Sequence, residues 1–258
     1  MLDPLSPLLE KERRTGVAVG TLHGVGLGPG DPELMTIRAV RMIRSSPVIA
    51  YFAKAGRRGN ARAIVDPWVK EGTEELPLLY PVTTEIHFAE TAYVSALAGF
   101  YEESALRIAE KLDAGQDVAL ICEGDPMFYG SFMHLFERLK GRYQVSITAG
   151  VSGMSGCFAA AGRPMTWGDD VLTVLPGTLD GESLARRLAA TDAAVIMKLG
   201  KNLPKVRAAL TAAGLIDRAI YVERGTMAGE CVIPLALKAD DEAPYFSMVL
   251  VPGEGRRP

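Results

Sequence analysis

Cysteine and histidine are scarce in this chain of 258 residues, with three of each. Cys122, Cys157 and Cys231 stand far apart, with no Cys-x-x-Cys pair and no neighbouring histidine pair. That spacing excludes the usual zinc sites and a disulfide framework, and it points to a reducing compartment. An excess of one charge is also missing. The formal net charge is -3, so no whole-chain basic field is available to hold a nucleic-acid backbone. Uncharged runs of membrane-spanning length are almost absent. The exception, residues 143–162, covers 20 positions without a charge, the length that crosses a bilayer. Gly150, Gly153, Gly156, Gly162, Gln144 and several hydroxyls interrupt it, so it reads as a buried strand, a glycine loop and a packed helix. The first fourteen residues hold acid, proline and a charged run where an export signal needs an apolar core. A soluble cytoplasmic protein is expected, with no metal, no nucleic-acid partner and no membrane partner.

What is present is an ordinary globular composition, 48% hydrophobic and 23% charged, enough to bury a core. The basic side is dominated by arginine, 19 against 9 lysines. A GC-rich coding sequence explains such a bias, and so does an acidic ligand recognised by guanidinium forks.

Short apolar runs alternate with helical patterns. Strands are expected over 21–27, 47–52, 75–79, 117–122 and 143–148, with helices over 33–44, 60–69, 86–114 and 128–139. Such alternation calls for a parallel sheet covered on both faces. After Gly150 the pattern gives helix 154–161, strand 171–175, helix 182–190, strand 193–199, helix 201–213, strand 219–223, and two late strands at 231–234 and 245–251. The late strands follow one another without a helix, so a mixed sheet is expected there. The fold class is α/β with two α/β domains, divided as 15–152 and 153–258.

Two loops share a pattern. Residues 24–33 read Gly-Val-Gly-Leu-Gly-Pro-Gly-Asp-Pro-Glu, and residues 123–130 read Glu-Gly-Asp-Pro-Met-Phe-Tyr-Gly. Asp31 and Asp125 are explained by helix capping with proline at the first helical position. Capping does not explain Gly24, Gly26, Gly28 and Gly30, which weaken a strand end unless something must approach the backbone. Strands one and four of a doubly wound sheet are commonly neighbours at its switch point, where ligands bind, so the two loops are expected to face one crevice. The dinucleotide fingerprint fails because Pro29 stands where its third glycine belongs, and no Walker loop is present. A third glycine loop, 149–156, opens a helix, where backbone N–H groups meet an acceptor or small residues allow close packing.

Other polar residues read as structural. His134 belongs to an amphipathic helix, His87 to a solvated helix start, and His23 to a half-buried strand. Arg38, Arg41 and Arg44 form a wet helix face opposite an apolar stripe of Ile37, Val40 and Ile43. Arg57, Arg58 and Arg62 lie in and after a glycine-flanked loop; it reads as a solvated basic loop or as a binder of substrate carboxylates.

Residues 26–36 with Ala39-Val40-Arg41, and residues 123–130, resemble the two signatures of the tetrapyrrole (corrin/porphyrin) methyltransferases. The likeness runs over nearly the whole chain. Residues 56–62, 76–82, 131–133 and 154–178 are similar to the subgroup that methylates C20 of precorrin-2. The resemblance implies a class III fold of two α/β domains, a homodimer, and S-adenosylmethionine folded between the domains, leaving as S-adenosylhomocysteine. Carried over, the donor contacts are Pro29, Glu123, Gly124, Asp125, Phe128, Ser152, Gly153, Leu199 and Gly225. Leu199 stands where the family often has Met, and Arg224 where it often has a small polar residue. Gly28, Asp31, Arg57, Arg58 and Arg62 are expected toward the acidic tetrapyrrole. No metal or covalent nucleophile is needed, because the sulfonium methyl is already activated and an electron-rich carbon attacks it in line. Asp31, Glu123 and Tyr129 are the candidates for removing the C20 proton. Alternatives open on sequence are the same reaction on cobalt-precorrin-2, a diphthine-synthase-like protein methyltransferase, and a non-catalytic tetrapyrrole carrier.

Overall fold

The computed structural model describes residues 18–81 and 91–255. Outside them fall the first fourteen residues, Val82, His87 and Arg256–Pro258, together with the expected helix start near Ile86. Two compact units are present. One holds the described residues up to Gly28 with Pro32–Val151; the other holds Pro29–Asp31 with the described residues from Ser152 onward.

In the first unit the order is β1 (Leu22–Gly26), α1 (Ile37–Ser45), β2 (Val48–Lys54), α2 (Asn60–Ile64), β3 (Glu74–Tyr80), α3 (Thr91–Asp113), β4 (Val118–Cys122), α4 (Phe132–Leu139) and β5 (Val145–Thr148). The sheet order is β3-β2-β4-β1-β5 and every pairing is parallel. β4 explains its own central place: Val-Ala-Leu-Ile-Cys is buried at all five positions, as a parallel strand covered on both faces must be. Its alternate residues serve different layers. Val118, Leu120 and Cys122 pack with Ile108 and Leu112 of α3 and with Phe132, Leu135 and Leu139 of α4. Ala119 and Ile121 pack with Ala39 and Ile43 of α1 and with Ala61 and Ile64 of α2. Each such large apolar side chain, fully buried, is worth about 1.5–3 kcal/mol.

In the second unit follow α5 (Gly153–Ala161), β6 (Leu172–Pro176), α6 (Gly181–Leu188), β7 (Ala193–Met197), α7 (Leu203–Ala212), β8 (Ile220–Glu223), β9 (Cys231–Pro234) and β10 (Ser247–Val251). The order is β6-β7-β10-β8-β9. β6 and β7 are parallel, whereas β10 is antiparallel to β7 and β8, and β9 to β8. The sheet is therefore mixed, as the helix-free succession of late strands implied. Helices α6 and α7 pack on one face through Leu184, Leu188, Val206 and Leu210, and α5 packs on the other through Cys157 and Phe158.

The uncharged stretch 143–162 resolves into β5, a loop and α5, and no described helix is long and apolar enough to cross a membrane. Three helix readings need correction. After Asp31 only a 3-10 turn (Pro32–Leu34) forms, and α1 starts at Ile37, capped by Thr36 Oγ1 accepting from the Ala39 N–H at 3.1 Å. After Asp125 the chain turns until Ser131 before α4 begins. The helix at Asn60 stops at Ile64. The stripe on α1 also differs: Ala39 and Ile43, an i, i+4 pair, take the sheet side, and Ile37 is 87% exposed.

Candidate active site

Parallel strands present their carboxyl ends, and the loops leaving β1 and β4 are fastened together there. β1 and β4 are neighbours, and beyond them Gly28 and Gly124 form an antiparallel bridge. Gly124 N donates to Gly28 O at 2.7 Å and Gly28 N to Gly124 O at 3.3 Å. The strand ends that lead into the two Gly-Asp-Pro loops thus meet at one sheet end. Gly28 needs its freedom, since its φ is +81° and a Cβ would lie 2.9 Å from Leu34 O.

The remaining glycines require a correction, because protein rather than ligand fills most of the space they leave. A Cβ on Gly24 would lie 2.3 Å from the Phe132 ring. One on Gly26 would lie 2.6 Å from Gly150 N, and one on Gly150 would lie 2.0 Å from Gly124 O. The three loops of the first unit close on one another backbone to backbone. In the second unit a Cβ on Gly156 would meet Pro29 Cβ at 2.5 Å, and one on Gly30 would meet Met227 Cγ at 2.2 Å.

The carboxylates expected at the donor are structural in this fold. Asp125 Oδ1 accepts from the Met127 N–H at 2.8 Å, a local turn, and Oδ2 accepts from the Gly150 N–H at 3.0 Å. Asp125 therefore pins the second loop to the third and caps no helix. Glu123 continues the alternation of Ala119 and Ile121, which sets it on the α2 side of the sheet. Its Oε1 accepts from the Ala61 N–H at 3.0 Å, satisfying one orphan donor at the start of α2. Burial raises the Glu123 pKa above the ordinary carboxylate range. Phe128 packs edge-on against Tyr129, with ring centroids 4.9 Å apart. Tyr129 is 45% exposed and has a left-handed φ of 56°.

The basic loop divides into three environments. Arg62 is a buried structural residue: its guanidinium pairs with Asp66 and, at 2.7 Å, with Glu75 Oε1. Tyr51 OH completes the group by donating to Glu75 Oε2 at 2.8 Å. The hydrogen bond from Arg62 holds the Glu75 pKa below the ordinary range, and the Arg62 pKa rises in return. A substrate carboxylate has no claim on a guanidinium already held by two acids. Arg58 pairs with Asp66 on the exposed side. Arg57 has no ion pair among the described residues. The Arg62–Asp66 spacing of four along a helical pattern was the signal that sequence reasoning missed.

On the second unit, Ser152 caps α5, its Oγ accepting from the Ser155 N–H at 3.3 Å, and a Cβ on Gly153 would lie 3.1 Å from Met248 Cε. Leu199 is a correction: its side chain is 1% exposed and belongs to the apolar core under α6 and α7, so only its backbone can face a ligand. Gly225 lies over Cys157, where a Cβ would come 3.0 Å from Sγ. Around these positions the backbone is strained. Lys198, Arg224 and Thr226 have φ of 58°, 49° and 69°, and such conformations cost on the order of 1–3 kcal/mol each and concentrate at functional sites. No composition or motif announced them. Among the described residues no cluster of metal-ligating side chains occurs.

The sequence profile of the tetrapyrrole (corrin/porphyrin) methylases matches residues 21–239. A Sinorhizobium protein named precorrin-2 C(20)-methyltransferase is 57% identical over 95% of this chain and 100% of its own length. A Salmonella typhimurium protein named cobalt-precorrin-2 C(20)-methyltransferase is 30% identical over 90% of this chain and 96% of its own. Among solved structures, a cobalt-precorrin-4 methyltransferase covers 90% of this chain and 94% of its own at a TM-score of 0.70, with 20% identity. The match takes in the clasped loops at the carboxyl ends of β1 and β4, and the chain belongs to the tetrapyrrole (corrin/porphyrin) methylases.

Proposed function

We propose that this chain transfers the methyl group of S-adenosylmethionine to C20 of precorrin-2, giving precorrin-3A in cobalamin biosynthesis. The reading is carried by the 57% identity to the Sinorhizobium C20-methyltransferase over that protein's whole length. The reading also includes domains spanning 15–152 and 153–258, a homodimer, and a cytoplasmic setting; three free cysteines suit the last.

The residues present fit a nucleoside-bearing donor. Thr226 Oγ1, next to Gly225, is buried without a hydrogen-bond partner, and a buried polar atom of this kind calls for one. Bound S-adenosylmethionine supplies an electrophilic methyl group. Pro29, Gly124, Phe128, Ser152, Gly153 and Gly225 would hold it, with Leu199, Glu123 and Asp125 contributing backbone groups, since their side chains serve the fold. The chain's work is to orient the two reactants and exclude water. Gly28 and Asp31 would face the tetrapyrrole, and Arg57 would take a substrate carboxylate first, with Arg58 released from Asp66 to take a second. Glu123 accepts from Ala61 at the start of α2; Asp31 or Tyr129 would accept the C20 proton.

Incubation with precorrin-2 or cobalt-precorrin-2 and a heavy-methyl donor tests this. Label on C20 of precorrin-2 is expected. Turnover of cobalt-precorrin-2 alone moves the enzyme to the cobalt-bearing substrate, and turnover of neither sinks the reading.

A further inference from the structure

The Glu123 carboxyl has no part in the transfer step, yet it stands on a fixed post. The carbonyl oxygen of Cys122, the residue before it, accepts from the Leu27 N–H at 2.9 Å, and Gly124, the residue after it, is doubly bonded to Gly28. From that post the side chain reaches across to the next strand's territory. β2 lies beside β4, and Glu123 Oε1 accepts from the Ala61 N–H at 3.0 Å. Ala61 is the second residue of α2, which begins directly after the arginine loop of residues 55–59.

That helix cannot hold itself. It has five residues, and isolated helices so short do not persist in water. Its N-cap position is Gly59, which has no side chain to offer the orphan amides of the first turn. Glu123 supplies the missing cap from 62 residues away. The helix is tied down a second time by Arg62, which pairs with Glu75 of β3. The loop before it has little slack. Arg57 N donates to Lys54 O at 3.0 Å, closing a turn at the end of β2. Gly59, with φ of +80°, lies so close to β2 that a Cβ would be 2.8 Å from Phe52 O. Held at Lys54 and at Ala61, the loop presents Arg57 as an exposed cation.

We propose that Glu123 is a positioning residue, which ties the arginine loop to the clasped end of β4 and acts on the tetrapyrrole through Arg57. This rests on the substrate reading above, in which Arg57 meets a substrate carboxylate. A guanidinium binds a carboxylate in a fixed planar geometry, so its contribution depends on where the loop places it. Only an acceptor is needed at the Ala61 amide. Burial favours the neutral form of the Glu123 carboxyl, so an amide oxygen should serve there equally well.

Steady-state kinetics of Arg57→Ala, of Glu123→Ala, Glu123→Asp and Glu123→Gln, and of the Arg57→Ala/Glu123→Ala double variant test the assignment, with calorimetric titration of S-adenosylhomocysteine into each. KM for precorrin-2 is expected to rise about tenfold in Arg57→Ala and in Glu123→Ala, the worth of one hydrogen bond to a charged group, with S-adenosylhomocysteine affinity held. Glu123→Asp keeps the acid but is one methylene too short; it should lose as much, and it carries the test if the alanine variant does not fold. Glu123→Gln keeps the acceptor and should recover most of the loss. Because Glu123 acts through Arg57, the double variant should be no worse than Arg57→Ala alone. A rise of about a hundredfold in the double variant, as two independent losses would give, overturns the proposal. So does an unchanged KM in both Glu123→Ala and Glu123→Asp, a Gln variant no better than Ala, or an equal loss of S-adenosylhomocysteine affinity. An unchanged KM in Arg57→Ala removes the arginine contact, and this proposal with it, while leaving the reaction standing. A wild-type enzyme that turns over neither tetrapyrrole overturns the substrate reading itself, and that result is seen before any substitution is made.

Discussion

The two units shape their strand-end loops with a different balance of means. In the first, side chains are removed: Gly24, Gly26 and Gly150 have no room for a Cβ, because a ring or a neighbouring backbone already lies there. In the second, close-packed glycines such as Gly225 recur, but beside them side chains are kept and the backbone is bent around them, with Lys198, Arg224 and Thr226 all left-handed. A loop made by deletion is stable, since its close contacts are mutual. A loop made by strain holds free energy that the rest of the unit must offset. Tyr129 is the first unit's single non-glycine residue of the second kind among the described residues, and it follows the Gly-Asp-Pro turn.

The largest test of this contrast is Gly150→Ala. Its new methyl group would lie 2.0 Å from the Gly124 carbonyl oxygen, and neither backbone can yield without opening the clasp. A loss on the order of 3 kcal/mol or more is expected in urea denaturation; an unshifted midpoint would show that the loops are not interlocked.

Arg62→Ala should come next, at about 2 kcal/mol. Breaking a buried pair costs more than that, but Glu75 and Asp66 are about two-fifths exposed and water compensates them in part. This loss should depend on pH. The Glu75 pKa is depressed in the folded state, so its pairing stabilises above the ordinary carboxylate range and fades as pH falls through the lower folded value. The variant should therefore show a shallower acid limb than the wild type, and parallel limbs would argue that Arg62 acts by packing alone.

The smallest effect has the opposite sign. Arg224→Gly should stabilise the second unit by about 1 kcal/mol, because glycine adopts φ near 49° without the Cβ penalty. A lower melting temperature instead would mean that the Arg224 side chain, not relieved strain, decides the turn.

Which features could be read from sequence follows the same division. Strands appear as short apolar runs between turn residues, so β4 and β9 are found at nearly their true limits, and the helix-free succession of β8, β9 and β10 gives away the mixed sheet. Glycine-rich loops are equally visible, though their purpose is not: Gly24 looks like room for a ligand until Phe132 is seen to occupy it. Strain leaves no mark in composition, and neither does a partner made by tertiary pairing. Glu123 looks like a site acid because its neighbour Ala61 lies 62 residues away in sequence. Arg62 looks like a substrate ligand because Glu75 is adjacent only once β2 and β3 have paired.

The place of β1 in its sheet bears on how the chain comes into being. Its two partners are β4 and β5, both encoded far downstream, whereas β2 and β3 can pair as soon as they are made. During synthesis the first glycine loop therefore has no template until β4 and Gly124 have emerged, and the strand leading into it must wait as unpaired, half-apolar chain. Order in the earliest-made loop arrives late, when β4 docks between β2 and β1 and β5 then closes the edge beside β1. Such non-local closure is slow and exposes the intermediate to aggregation, so the half-finished first unit is the stage of biogenesis that a chaperone would most need to guard.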